Sequence, residues 1–314
     1  MPPWRCTRRN QRAVSMDIVV HQISGLGNQL FQYAAGRYYA RRYGAGLRMV
    51  TDPAKRAFSH GSPRPFLLGH FCIQSPVREI RFWEWKILLS SRQQLAPVRA
   101  LMRRASQSQV FRETPAQRYS FLEDLSVQSG TRTLYLAGYW QTYKIADALG
   151  PRLRTELAFR QPPEGRNLEM LGRIREAKNA VSLHVRRGDY TLAAEGNIAL
   201  PMEYYERAIT RAKERVDEPT FFVFSDDMEF ARANLPAGLK TVFVDHNDHW
   251  TAHEDLRLMS SCRHHILANS TFSWWGAWLN PNEDKVVMAP RQWHLRAESY
   301  YPELMPPAWE LLDV

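Results

Sequence analysis

Seven short apolar runs, each four to six residues long, recur along the chain: DIVV (17–20), TLYLAG (133–138), AVSLHV (180–185), TFFVFS (220–225), TVFVDH (241–246), HHILAN (264–269) and KVVMAP (285–290). A strand covered on both faces is apolar throughout rather than alternating, so runs of this length read as buried strands. Between several of them lie segments with apolar residues three and four apart. Met202, Tyr205, Ile209, Ala212 and Val216 recur that way in MEYYERAITRAKERV, as do Leu256, Met259 and Cys262 in EDLRLMSSC. Side chains at that spacing share one face of a helix. Strands alternating with helices predict parallel α/β sheets. Ligands of such sheets bind beyond the carboxyl ends of the strands. The polar clusters RRGDY, SDDME, DHNDH and ANSTFS stand at those ends.

A chain of 314 residues has room for two medium domains. The Pro- and Gly-rich stretch QPPEGRN (161–167) predicts a boundary, with a first domain over 16–163 and a second over 164–314. Residues 1–15 carry Arg5, Arg8, Arg9 and Arg12 with no acid and no apolar core of a secretion signal. They are expected to be a disordered leader, with Met16 as an internal start. Residues 53–130 are rich in Arg, Pro, Ser and Gln; within them RFWEWKILLSSRQQLAPVRALMRRA reads as helical, with Pro97 as a break or a start. No run approaches the ~18 apolar residues of a membrane helix. Cys6, Cys72 and Cys262 are odd in number and lack metal spacing, which makes a cytoplasmic, reducing compartment the expectation. The net charge of +10 suits an anionic partner, whether nucleic acid, a membrane surface or a phosphorylated substrate. The aromatic and basic stretch Arg78–Arg118 adds the expectation of peripheral contact with an anionic membrane at its inner face.

The clusters differ in chemical content. ISGLGNQLFQYAAGRYYARRYG (23–44) resembles a dinucleotide-binding turn without its GxGxxG spacing. Gly25 and Gly27 permit a tight turn and close approach, and Asn28 and Gln29 place amides at a helix start. In HVRRGDY, Arg186 and Arg187 offer planar forks of donors matched to phosphate oxygens. The Arg187-Gly188-Asp189 tripeptide as an adhesion signal would need a secreted loop, for which no signal sequence exists. Asp226 and Asp227 in SDDME could ligate a metal, or cap the following helix while one orients an arginine; the second is expected, since no third ligand is spaced to complete a site. His246, His249 and His253 show no HExxH arrangement. In ANSTFSWWGAWLN, Asn269, Ser270 and Thr271 begin a helix whose free N–H groups suit an anion. Trp274, Trp275 and Trp278 read as packing residues. Asp255 could accept from both guanine N1–H and its amine, a donor pair adenine lacks.

The order GLGNQLFQYAAGR, LYLAGYWQTYK, HVRRGDY, FSDD and DLRLMSSCRHHILANSTFSWWGAWLN resembles the family 11 glycosyltransferases, the α-1,2-fucosyltransferases that use GDP-fucose. The resemblance spans roughly residues 17–290 and leaves the leader and 53–130 uncovered. It implies a GT-B architecture, two Rossmann-like domains facing a central cleft. It also implies an inverting, metal-independent transfer of fucose from GDP-β-L-fucose to the 2-hydroxyl of a terminal galactose, without a cofactor. Arg186 is then expected on the β-phosphate, with His184, Arg187, Asp226, Asn269, Ser270, Thr271 and Gly27 completing the donor site. Asp255 is expected on guanine, and Asn28 facing the sugar. Asp189, His21 and Asp226 are the candidates for a base. The competing expectations are another GDP-sugar donor, or a basic nucleotide- or nucleic-acid-binding module, although RNP-like aromatics, helix-turn-helix and zinc-finger patterns are absent.

Overall fold

The computed structural model describes residues 16–51, 64–81, 84, 96–188, 199–294, 301 and 303–314. The leader lies outside them. The first half forms β1 (Asp17–Gln22), α1 (Leu26–Arg42), β2 (Gly46–Thr51), β3 (Val77–Glu79), α2 (Ala96–Ala105), β4 (Ser108–Arg112), β5 (Thr133–Ala137) and α3 (Tyr143–Glu156). Its sheet has the order β3-β2-β1-β5-β4. The second half forms α4 (Gly165–Glu176), β6 (Asn179–Val185), α5 (Met202–Arg215), β7 (Pro219–Ser225), α6 (Met228–Asn234), β8 (Thr241–Phe243), α7 (Ala252–Ser261), β9 (His264–Ile266), α8 (Thr271–Leu279), β10 (Val287–Pro290) and β11 (Glu310–Leu312). Its sheet runs β11-β10-β9-β6-β7-β8. All pairings within both sheets are parallel.

Each of the seven apolar runs falls on a strand of these sheets, although in TVFVDH and HHILAN the strand covers only the first three residues. Four further strands had no such run. β2 alternates exposed and buried residues at its start, β3 and β4 are half-exposed edge strands, and β11 closes the other edge. Edge strands bury one face at most, so apolar content does not mark them. The stretch 81–105 is helical over Ala96–Ala105, with Pro97 in the first turn; residues 82–83 and 85–95 lie outside those described.

In the second sheet the chain reverses its direction of travel once, between β6 and β9; in the first it runs outward from β1 to β3, crosses to the far edge at β4 and returns inward to β5 beside β1. Strand order reversed at such a point leaves a crevice beyond the carboxyl ends. The two halves are joined there by a shared apolar core: Phe31 of α1 lies 4.6 Å from Trp274 and 5.0 Å from Trp275 of α8, ring centre to ring centre. Both indoles are fully buried. Between β10 and β11 the chain touches the first half, where the Glu303 carbonyl accepts the Tyr143 N–H at 2.8 Å and the Glu303 carboxylate pairs with Lys144. Trp274 Nε1 donates to the Leu304 carbonyl at 2.9 Å, fastening that segment to α8.

Candidate active site

A cleft of about 490 Å³ opens where the carboxyl ends of the two sheets meet. On its second-sheet side the register pairs His184 with Phe224 and Val185 with Ser225. Continuing that register brings Arg186 opposite Asp226. Arg186 Nη1 lies 3.0 Å from Asp226 Oδ2, and both side chains are largely covered. The Arg187 N–H donates to the other oxygen, Asp226 Oδ1, at 2.9 Å. A Cβ on Gly188 would lie 2.5 Å from Asp226 Oδ2, so the glycine is what admits the carboxylate. Asp227 diverges: its carboxylate caps α6 by accepting the Phe230 N–H at 3.0 Å. Among the described residues no three His, Cys, Asp or Glu side chains cluster for a metal ion.

The arginine doublet separates. Arg186 lines the cleft. The Arg187 guanidinium lies 3.9 Å above the Phe230 ring, with Asp227 3.8 Å away, and does not line it. His184 lines the cleft beside Phe272, buried, and burial next to Arg186 drives its pKa down to about 3, so its imidazole is neutral. Asn269, Ser270 and Thr271 enter from β9. Asn269 Nδ2 donates to the Trp293 carbonyl at 3.2 Å, and Ser270 caps α8 by accepting the Phe272 N–H at 3.4 Å. Asp255, on α7, sits half-buried in the cleft wall. Burial raises its pKa to about 7, opposed by an Asn247 amide donating at 2.7 Å. Asn247 is held in turn by Asn167, which the sequence placed in a linker and the fold places on α4.

On the first-sheet side, Ser24 takes a left-handed conformation (φ 67°) and Gly25 leads into α1. Asn28 lines the cleft with both ends of its amide engaged, donating to Ser24 Oγ at 3.0 Å and accepting from Gln141 at 2.7 Å. Gln29 turns inward instead and ties the loop at Pro65 and Leu67. Gln141 follows Trp140, another left-handed residue (φ 57°). Such conformations cost of order 1–3 kcal/mol, and here the Glu113 carboxylate accepts both the Tyr139 and Trp140 N–H groups at 2.6 and 2.7 Å. Gly27 meets the second half directly, since a Cβ there would lie 2.5 Å from the Thr271 backbone.

Of the candidate bases, Asp226 is committed to Arg186, His21 is buried and does not line the cleft, and Asp189 lies outside the described residues. Sequence reasoning missed Arg64, Arg118, Tyr119, Gln141, Asn247 and His294, all of which line the cleft. Tyr119 Oη and His294 Nε2 stand 2.6 Å apart, a hydrogen bond joining the two halves across the opening. Gln141 and Asn247 sit in quoted motifs; the Tyr119–His294 pair, 175 residues apart, left no local signal.

Two parallel sheets that share a cleft at the carboxyl ends of their strands, with an arginine and a helix start converging in it, define a GT-B glycosyltransferase. The chain belongs to glycosyl transferase family 11, which residues 81–303 match. The O-antigen biosynthesis glycosyltransferase WbnK of Escherichia coli is 43% identical over 38% of this chain and 41% of its own. An α-1,2-colitosyltransferase of E. coli is 29% identical over 95% of this chain and all of its own. Galactoside α-(1,2)-fucosyltransferase 1 of Plecturocebus brunneus is 27% identical over 62% of this chain and 56% of its own. In fold the chain resembles the NodZ α-1,6-fucosyltransferase solved with GDP-fucose, with a TM-score of 0.52 at 17% identity over 85% and 93% of the two chains.

Proposed function

We propose that this glycosyltransferase moves L-fucose from GDP-β-L-fucose to the 2-hydroxyl of a terminal galactose, with inversion and without a metal ion. The observation that carries the reading is Arg186, fixed by Asp226 and lining the same cleft as the start of α8. In this reading the diphosphate lies between them. The galactose oxygen bonds to the anomeric carbon from the face opposite the phosphate, and its hydroxyl proton is released to solvent water. The carbon–oxygen bond to phosphate breaks, and its electron pair leaves with GDP. A guanidinium and N–H dipoles aimed at that developing charge stabilise the transition state more than the ground state. Arg187 acts by holding the turn, through its N–H on Asp226 and its stacking on Phe230, rather than by gripping phosphate.

A colitosyl donor is the second reading, favoured by the relative aligned along almost the whole chain. Colitose lacks a hydroxyl that fucose carries, and a site built to hydrogen-bond a hydroxyl rejects the analogue without it. Turnover of GDP-fucose and GDP-colitose against a panel of β-galactosides, with linkage analysis of the product, decides between them. The expected result is an α-1,2-fucosyl product, formed at an undiminished rate in EDTA. No transfer with GDP-fucose, or activity that EDTA removes and Mg²⁺ restores, overturns the corresponding half of the proposal.

Asp255 supplies a pH signature for the guanine contact. A carboxylate accepting from guanine must be ionised, whereas in the empty cleft burial holds its pKa at about 7. Binding therefore expels a proton below pH 7. GDP affinity is expected to fall about tenfold per pH unit below that value and to level off above it. Titration calorimetry in buffers of different ionisation enthalpy reads the proton directly. Asp255→Asn should bind weakly with no pH dependence; an unchanged profile in that variant removes Asp255 from the guanine site.

A further inference from the structure

Helix α2 (Ala96–Ala105) takes no part in the cleft. Val98, Leu101, Met102 and Ala105 recur at intervals of three and four and so share one side of it. That side is largely open: Val98 is 47% exposed and Leu101 68%, Met102 is half-buried, and among the described side chains of the helix none is fully buried. Leu101 is the most exposed large apolar residue among those described. Arg103 and Arg104 occupy the rest of the circumference. From residue 96 to residue 112 the chain carries Arg99, Arg103, Arg104 and Arg112, with no Asp or Glu.

We infer that α2 is a docking surface for an anionic lipid bilayer. A surface helix that needed only solubility would have no use for an exposed leucine beside an exposed valine. A short helix lying in a membrane interface needs both parts, an apolar side to enter the acyl boundary and cations around it for the headgroup phosphates. The long arginine side chains reach the headgroup level while their aliphatic stems follow the helix inward. The same charge argues against a second copy of this chain as the occupant, because a symmetric contact would press arginine against arginine. It leaves a polynucleotide no role for Val98 and Leu101. The surface stands apart from the cleft, so the inference does not depend on which sugar is transferred.

Co-sedimentation of the full chain with vesicles tests it, using pure phosphatidylcholine in one arm and phosphatidylcholine with phosphatidylglycerol in the other. The chain is expected to pellet with the anionic vesicles and not the neutral ones, and to return to the supernatant as salt screens the headgroups. Leu101→Asp should release it, and so should Arg103→Glu with Arg104→Glu, each reversal lowering the partition about fivefold or more. All three positions are exposed or half-exposed, so the thermal midpoint should match the parent and serves as the folding control. Recovery in the supernatant with both lipids overturns the inference. Binding by Leu101→Asp equal to the parent overturns it too, since the attraction would then come from net charge alone. A concentration-dependent dimer abolished by Leu101→Asp would assign the face to a second copy instead.

Discussion

Arg186→Ala should leave a folded protein whose transfer rate has dropped by at least about a hundredfold, the loss that follows removal of one donor aimed at a developing oxyanion, roughly 3 kcal/mol. The expectation rests on placement. Arg186 lines the cleft, its guanidinium is fixed by Asp226 at 3.0 Å, and Arg187 is turned away onto Phe230. Asp226 retains the Arg187 N–H in the variant, which limits the cost of leaving a covered carboxylate without its ion pair. Arg186→Lys should recover little, because an ammonium cannot reach Asp226 and phosphate in one planar fork. Single-turnover rates at saturating donor, beside a melting curve, separate chemistry from folding. Turnover near the parent rate in Arg186→Ala would leave the leaving group to other hands.

The second large effect is expected from a single methyl group. Gly27→Ala places a Cβ 2.5 Å from the Thr271 carbonyl carbon and 2.6 Å from the Phe272 nitrogen. Both are backbone atoms, so no side chain can swing aside, and the starts of α1 and α8 must separate. The Phe31 contacts with Trp274 and Trp275 oppose that movement. Overpacking of this kind typically costs about 1–3 kcal/mol, and here the displaced groups are Ser270 and Thr271, the residues proposed to face the donor. Activity should fall more than about tenfold, with a lower thermal midpoint and weaker GDP binding. Gly25→Ala is the control, since its Cβ would meet only the far end of Arg64 at 3.8 Å. Equal behaviour of the two variants would show that the contact does not set the site.

Much of this arrangement was legible in the chain, for reasons that can be named. Strands buried on both faces declare themselves as apolar runs, so the interior of the second sheet and β1 and β5 of the first could be read, while β2, exposed in part at its start, could not. β3 and β4 sit at an edge, alternate or expose their residues, and look like loop. The cluster residues Arg186, Asp226, Asp255, Asn269, Ser270 and Thr271 converge because each ends a strand of one sheet or lies on a neighbouring helix, which parallel topology alone requires. The doublet Arg186-Arg187 was over-read as a paired grip. Neighbours leaving a strand point to opposite faces, and that rule alone would have assigned one arginine to the cleft and the other to Phe230. The first-sheet wall was the least legible. Tyr119, Arg118 and Arg64 come from a region without motifs, and Tyr119 gains its meaning only from His294 across the opening.

The near contact of Gly27 with Thr271 also has an electrostatic consequence. α1 and α8 meet at their amino ends, and neither has an acidic residue in its first turn. Each end carries about half a positive charge from its aligned peptide dipoles. The protein therefore holds two like poles together at the base of an empty cleft, and the apolar stack behind them bears the repulsion. A dianionic leaving group lodged between the poles turns repulsion into attraction. Under the proposed function the nucleotide would act as a keystone, drawing together two walls of which only one belongs to its own half of the chain.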